Sequence, residues 1–359
     1  MDNAAKKQNI DLLDLIKVLA TILIVFHHYQ QSMGATFSLI NFYGGRISFG
    51  NLVELFFMIS GFVAMYTFKP NQEISRGEVY LLKNLCHKLL RIFPVVTIAL
   101  IFAIVIKTIN YSVYGAGELS SIWNFKTLVA NFLLIFRGWP YFKMTGINNP
   151  TWYLCILIQC YLIFYLCLYI QDKKYKRTLV WVGIAALSFY MYYKGALDNS
   201  SFRGIECFFI GAALCDLFEY LFEKEFTKSR VFKIVCVFSA VVIITVSLIV
   251  IIFKFPDVRN KQVRIFIFGV FIWLILIAYL FRDVHSKIIQ NVGKISFEVY
   301  VWHSPFLAAT RLLMNVFGFT IDHSYLTMLL FTAIVWGFAI LLWKFVETPI
   351  NRFIKSKGL

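Results

Sequence analysis

The chain has 359 residues, 60% of them hydrophobic and only 15% charged, with 38 Phe, 19 Tyr and 8 Trp. Soluble domains carry about 25% charged residues, so a soluble globular fold is excluded. The formal charge of +16 would point to nucleic acid in a soluble protein. Here basic cytoplasmic loops account for most of it, no nucleic acid is implied, and the excess suits an anionic substrate or lipid headgroups. The expected architecture is all-α and integral to the membrane. About ten spanning helices form one bundle over residues 1–359, with both termini cytoplasmic.

Lys6 and Lys7 precede the first apolar stretch, Asp11 to Gln30, and hold the amino terminus inside. That stretch is too long and too charged for a cleavable signal. The second span, Phe49 to Phe68, returns. The basic connection from Lys69 to Arg91 is cytoplasmic, and a third span, Ile92 to Ile109, goes out. Phe125 to Phe136 is apolar but only about twelve residues long, which favours a re-entrant or interfacial segment. With that segment not counted as a span, Trp152 to Ile170 runs inward and the basic Asp172 to Arg177 stretch stays cytoplasmic. The remaining spans alternate: Leu179 to Tyr193, Phe202 to Phe222, Ile234 to Phe253, Ile265 to Leu280, Ile295 to Val316 and Leu326 to Phe345. A short segment, residues 1–10, leads in, and a basic tail, residues 347–359, closes the chain. One loop resists this scheme, because Asp257 to Arg264 places Arg259, Lys261 and Arg264 outside. The seven cysteines show no CxxC pair or metal spacing and read as small buried hydrophobes, so no metal is expected.

Ionisable groups inside membrane segments are costly and are functional candidates by default. The first span carries Asp14, Lys17, His27 and His28. Lys17 and His28 are eleven positions apart, which is within about 20° of three full turns, so they share one helix face roughly 16 Å apart along the axis. Asp14 lies one turn before Lys17 and pairs with it. His27 points about 80° away from Lys17, which favours His28 as a general base for a hydroxyl nucleophile. A structural ion pair with a snorkelling histidine is the plainer alternative. At the start of the third span, Lys83, His87, Lys88 and Arg91 have helical spacing. They form either a solvated positive-inside cluster or a cradle for phosphates, with Arg91 suited to a bidentate grip. Pro94 follows, placed near the helix start where it costs little. Ser60 and Gly61 lie mid-membrane, where small residues mark close helix packing. Trp152, Arg203, Glu206, Glu54, Gln159, His303 and Arg311 lie in or at the ends of other spans. Each has a reading as an anchor or as interhelical glue, but together they imply a polar cavity.

These residues resemble the acyltransferase-3 family of membrane O-acyltransferases that modify bacterial surface glycans. In that family a basic residue stands eleven positions before a histidine on the first helix, as Lys17 and His28 do, with Asp14 ahead of them. Lys88-Leu-Leu-Arg91 is similar to its basic-x-x-Arg motif. Phe56, Phe57, Ser60, Gly61 and Phe62, then Thr151-Trp152-Tyr153-Leu154, then Arg203, Gly204, Phe208, Phe209 and Gly211 follow its further motifs. So do Ser296, Tyr300, Trp302, His303 and Pro305, and the closing Glu347-Thr-Pro349. The resemblance spans Leu12 to about Arg352. Lys17 and Lys88 stand where arginines are usual, keeping charge and losing the fork, and Gln159 stands where many members have Glu.

The resemblance implies a multi-pass protein of the bacterial inner (cytoplasmic) membrane, with acetyl-CoA or another acyl-CoA as co-substrate. The acceptor would be a hydroxyl of a glycan or lipid-linked glycan of the cell envelope or an exported polymer. His28, Lys17 and Asp14 are the expected catalytic group, and Lys88, Arg91, Lys17 and Lys83 the donor-binding group. Ser60, Trp152, Arg203, Glu206 and His303 are the expected acceptor contacts. Some members append an extracytoplasmic esterase-like domain. None is expected in this chain, which would act alone or pass its acyl group to a partner. A flippase or anion carrier is the competing class, which inverted repeats with broken helices would favour, and an inactive sensor or scaffold is a third. The sequence leaves oligomeric state open.

Overall fold

In the computed structural model the described residues are 9–37, 40–44, 49–68, 78–115, 122–139, 143–170, 174–195, 199–224, 229–254, 263–322 and 324–356. Lys6, Lys7, Lys69, Arg259 and Lys261, used above to assign sidedness, lie outside them. The described residues form helices and no β-strand. In chain order these are α1 (Asp11–Met33), α2 (Leu52–Thr67), α3 (Glu78–Tyr114), α4 (Phe125–Phe132), α5 (Trp152–Ile170) and α6 (Lys174–Lys194). Then come α7 (Asn199–Phe222), α8 (Arg230–Lys254), α9 (Val263–Leu280), α10 (Lys287–Phe317), α11 (Tyr325–Leu342), a π-helical turn (Trp343–Glu347) and α12 (Thr348–Ser356). Among the described residues, seven segments are long and apolar enough to cross a membrane: those containing α1, α2, α3, α5, α8, α9 and α11. α6, α7 and α10 are 21, 24 and 31 residues long and carry more polar groups. The protein is thus an all-α integral membrane protein. α4 closes after eight residues, too short to cross a bilayer core of about 30 Å.

The helix ends follow local chemistry. Asn124 caps α4 by accepting from the backbone of Lys126 and Thr127, and Ser286 caps α10 by accepting from Ile289. α1 and α10 each stop at a glycine in the left-handed conformation, Gly34 (φ 66°) and Gly318 (φ 62°), where a side chain would be strained.

Close packing centres on α2 and α7. A Cβ on Gly61 would lie 1.8 Å from the Phe208 carbonyl oxygen, and one on Gly211 would lie 1.9 Å from that of Met58. The two backbones touch there, as small residues allow in lipid, where helix association has no hydrophobic drive of its own. Trp181 of α6 is fully buried, stacked on Phe164 and Phe209 at 5.3 Å from each. α8 is the opposite case: Ile234, Phe238, Val241 and Ile249 are all exposed, a lipid-facing side.

Two expectations change. The third span begins at residue 78, well before Ile92, so Lys83 to Arg91 belong to a 37-residue helix and Pro94 falls in its interior. Pro94 lacks the N–H that would bond the Leu90 carbonyl. Arg264, awkward as an outside loop charge, instead opens α9 as a buried side chain paired with Glu206 at 3.0 Å. The pairing with an intramembrane carboxylate explains a cation there.

Candidate active site

α1 and α10 run side by side, and their contact positions the first group of residues. At the start of both helices the Asp11 carboxylate accepts from the Ser286 backbone (2.6 Å) and from Gln290 Nε2 (3.0 Å). One turn on, Lys17 Nζ meets Asp14 Oδ1 at 2.5 Å. Gly293 of α10 lies against this pair: a Cβ there would approach Asp14 Cβ to 2.8 Å. The glycine therefore lets α10 come close to the Asp14–Lys17 pair.

Next to the pair is a cavity of about 270 Å³, lined among others by Lys17, Lys88, Arg91, Lys294, Ser60 and Tyr153. Its four cations differ in how they are matched. Lys17 is paired with Asp14, and Arg91 Nε with Glu347 Oε1 at 3.0 Å. Lys88 lies over the Tyr161 ring, 4.6 Å from its centroid. Lys294 makes a long contact with Asn291, 3.4 Å. Neither Lys88 nor Lys294 has a carboxylate partner among the described residues, so the mouth carries two unmatched positive charges. Lys83 is exposed and lies outside this lining. Lys294 went unremarked in the sequence, because a lysine before a span reads as ordinary positive-inside charge.

At the far end of the cavity the lining turns aromatic and hydroxylic. Ser60 and Tyr153 share a hydrogen bond of 3.0 Å, and Tyr300 donates to the Pro150 carbonyl at 2.7 Å. The Tyr153 and Tyr300 rings meet at 5.6 Å, Tyr300 touches His303 at 5.8 Å, and His303 stacks on His28 at 5.1 Å. His28 therefore stands behind the cavity, reached through Tyr300 and His303. His303 is fully buried, and neither ring nitrogen has a hydrogen-bond partner among the described residues.

The two adjacent histidines of α1 divide the work. His27 is buried and donates from Nδ1 to the Phe42 carbonyl at 2.8 Å. Gln30 holds the same strip of chain by accepting from the Phe42 and Tyr43 amides at 2.6 and 3.0 Å. His28 Nδ1 donates to Gln31 Oε1 at 3.0 Å, which leaves Nε2 as the acceptor nitrogen.

A second charged cluster forms where α2, α5, α7 and α9 meet. Arg203 binds Glu54 at 2.8 and 2.9 Å, Arg264 binds Glu206 at 3.0 Å, and Arg264 Nε lies 3.9 Å from Glu54. Arg203 lies over Trp152 at 5.6 Å, and Arg264 over Tyr192 at 4.1 Å. The charges balance two against two. Arg203, 26% exposed, is the accessible member, whereas Glu206 is buried and engaged with Arg264. Glu206 thus meets the cavity side of the cluster only through its partner Arg264.

The loop before α5 ties these parts together. Pro305 inside α10 removes the N–H that would bond the Val301 carbonyl. Asn148 Nδ2 takes that carbonyl instead, at 2.9 Å. Asn131 of α4 holds the same loop by accepting from Ile147 N at 2.9 Å.

These features define a multi-pass α-helical membrane protein with a cation-lined cavity leading toward a stacked histidine pair. No solved structure matches the chain. The chain belongs to the acyltransferase-3 family, whose model, described as an acyltransferase domain, matches residues 10–343. A curated relative is the peptidoglycan O-acetyltransferase OatA of Listeria monocytogenes serovar 1/2a (strain ATCC BAA-679 / EGD-e). It is 23% identical over 371 aligned positions, covering 95% of this chain and 55% of the relative. The chain thus spans about half the length of that relative.

Proposed function

We propose that this protein is an acyl-CoA-dependent O-acyltransferase of the bacterial inner membrane. It would move an acyl group, acetyl in the first instance, onto a hydroxyl of a cell-envelope glycan. The observation that carries this reading is the cavity with its cations at one end and a hydroxyl–aromatic–imidazole path at the other. Phosphates of the donor bind at the mouth against Lys88 and Lys294, with Lys17 and Arg91 oriented by their carboxylates. The pantetheine arm runs inward past Ser60, Tyr153 and Tyr300. His28 Nε2 accepts the proton of the acceptor hydroxyl as its oxygen attacks the thioester carbonyl. The new C–O bond forms, the C–S bond breaks, and the departing thiolate takes the proton back from His28. His303 keeps the imidazole in place. Trp152 and Arg203 present a stacking face and a donor fork to the acceptor sugar, with Glu54, Glu206 and Arg264 behind them. The cation-rich mouth faces the cytoplasm, where acyl-CoA is made, and the Arg203 end faces outward. The glycan acceptor is in keeping with the printed activity of the Listeria relative.

The test compares purified wild type with His28→Ala. CoA binding is followed by calorimetry, and free CoA released from acetyl-CoA is measured in the presence of a glycan lipid extract. The expected result is unchanged CoA binding with turnover reduced by about 10²- to 10⁴-fold, the range for a positioned base. A wild type that neither binds CoA nor turns over acetyl-CoA overturns the donor assignment and brings a transporter of a lipid-linked sugar or anionic solute to the front.

A further inference from the structure

Beyond both charged clusters lies a pair of cations on apposed faces of α3 and α10. Lys107 donates to the Ile147 carbonyl at 2.7 Å, and Arg311, an exposed side chain, stands on the neighbouring stretch of α10. About one turn further along each helix, Asn315 donates to Asn110 at 2.8 Å. This bond pins α3 to α10 and fixes the faces that carry the two cations. Among the described residues no carboxylate pairs with either. Both belong to the end of the bundle where α1 finishes, the end at which lysine and arginine are normally scarce. Two like charges on apposed helices repel one another, and an anion between them would relieve that repulsion. The anchoring is also specific, because Ile147 adjoins Asn148, which bonds Val301 of α10, and the same loop leads into Trp152.

We propose that Lys107 and Arg311 form a subsite for a singly charged oxyanion, a carboxylate or phosphodiester, on the acceptor glycan. The inference rests on the acceptor side of the proposed function and adds that the acceptor chain is acidic. Arg311 supplies a planar fork that matches an oxyanion in two-point fashion, and Lys107 supplies a point charge already aimed by its bond to Ile147. The anion would dock beside the loop that leads to Trp152 and Arg203, so the charge holds the chain while the neutral sugar reaches the transfer site.

The test is a binding measurement that needs no acyl transfer. Calorimetry in detergent compares wild type, Lys107→Gln/Arg311→Gln and Arg311→Lys. The probes are chitotetraose, the hyaluronan tetrasaccharide, which carries glucuronate carboxylates, and chitotetraose bearing a glycerol phosphodiester. Thermal melting confirms that each variant is folded. The expected result is at least tenfold tighter binding of one of the charged probes than of chitotetraose by wild type. The double Gln variant abolishes this preference, and Arg311→Lys retains part of it. Equal binding of all three probes by wild type, or a preference that survives the double variant, overturns the proposal. So does native mass spectrometry showing phosphatidylglycerol released only by the double variant while glycan binding is unchanged, since the pair would then hold a lipid headgroup. A wild type that binds the acidic probe yet fails to release CoA from acetyl-CoA would sink the transferase reading while leaving this subsite standing.

Discussion

The two charged clusters of the bundle are built on opposite principles. Around Glu54, two guanidiniums meet two carboxylates in a packed, largely buried network that balances its own charge. Around Lys88, cations line an open cavity, and two of the four have no carboxylate to meet them among the described residues. The first arrangement balances its own charge and joins the starts of α2, α7 and α9. The second is left positively charged by the fold, which is the condition for holding a phosphorylated molecule. Counting ionisable residues would not separate the two; what separates them is whether the partner is already in the chain.

The comparison breaks most severely at Glu54. Replacing Glu54 with Ala leaves Arg203 and Arg264 partly uncompensated and is expected to destabilise the protein by about 3–5 kcal/mol. Thermal melting in detergent reads this directly, and Glu54→Ala/Arg203→Ala should recover part of the loss. Gly293→Ala forces α10 away from Asp14 and is expected to cost about 1–3 kcal/mol, as overpacking does. It should also weaken CoA binding more than Gly337→Ala, whose added methyl meets open space. At the mouth the expected signature is reversed. Lys88→Ala and Lys294→Ala should leave the melting temperature nearly unchanged, since surface substitutions stay within about ±0.5 kcal/mol. Each should raise KM for acetyl-CoA by about tenfold with kcat intact, the pattern of lost uniform binding. Smallest of all, raising ionic strength should increase that KM for wild type and less so for Lys294→Ala. A mouth variant that melts early, or a Glu54 variant that changes only KM, would erase the distinction.

Much of this was legible in the sequence, for identifiable reasons. The long apolar runs, the short α4 and the shared face of Lys17 and His28 follow from length and a 3.6-residue period. Gly61 could be read as a packing site because small residues inside a span have few other uses. Partner choice was less legible. Nothing local pairs Arg264 with Glu206, or Arg91 with Glu347, because those partners are brought together only by helix packing. Pro94 was misplaced because a basic amphipathic stretch reads equally well as a loop or as the overhang of a long helix. Lys294 was missed because its importance depends on what α10 faces.

The glycine seam between α2 and α7 has a mechanical consequence. Two helices whose main chains touch through Gly61 and Gly211 cannot slide past one another without driving carbonyl oxygens into side chains on either side. They behave as a stator. On the proposed function, breathing that admits a donor or an acceptor would be carried by α10 and the two helices packed on it, α1 and α3. A disulfide placed across the α2–α7 seam should therefore leave turnover unaffected, while one that ties α3 to α10 should arrest it.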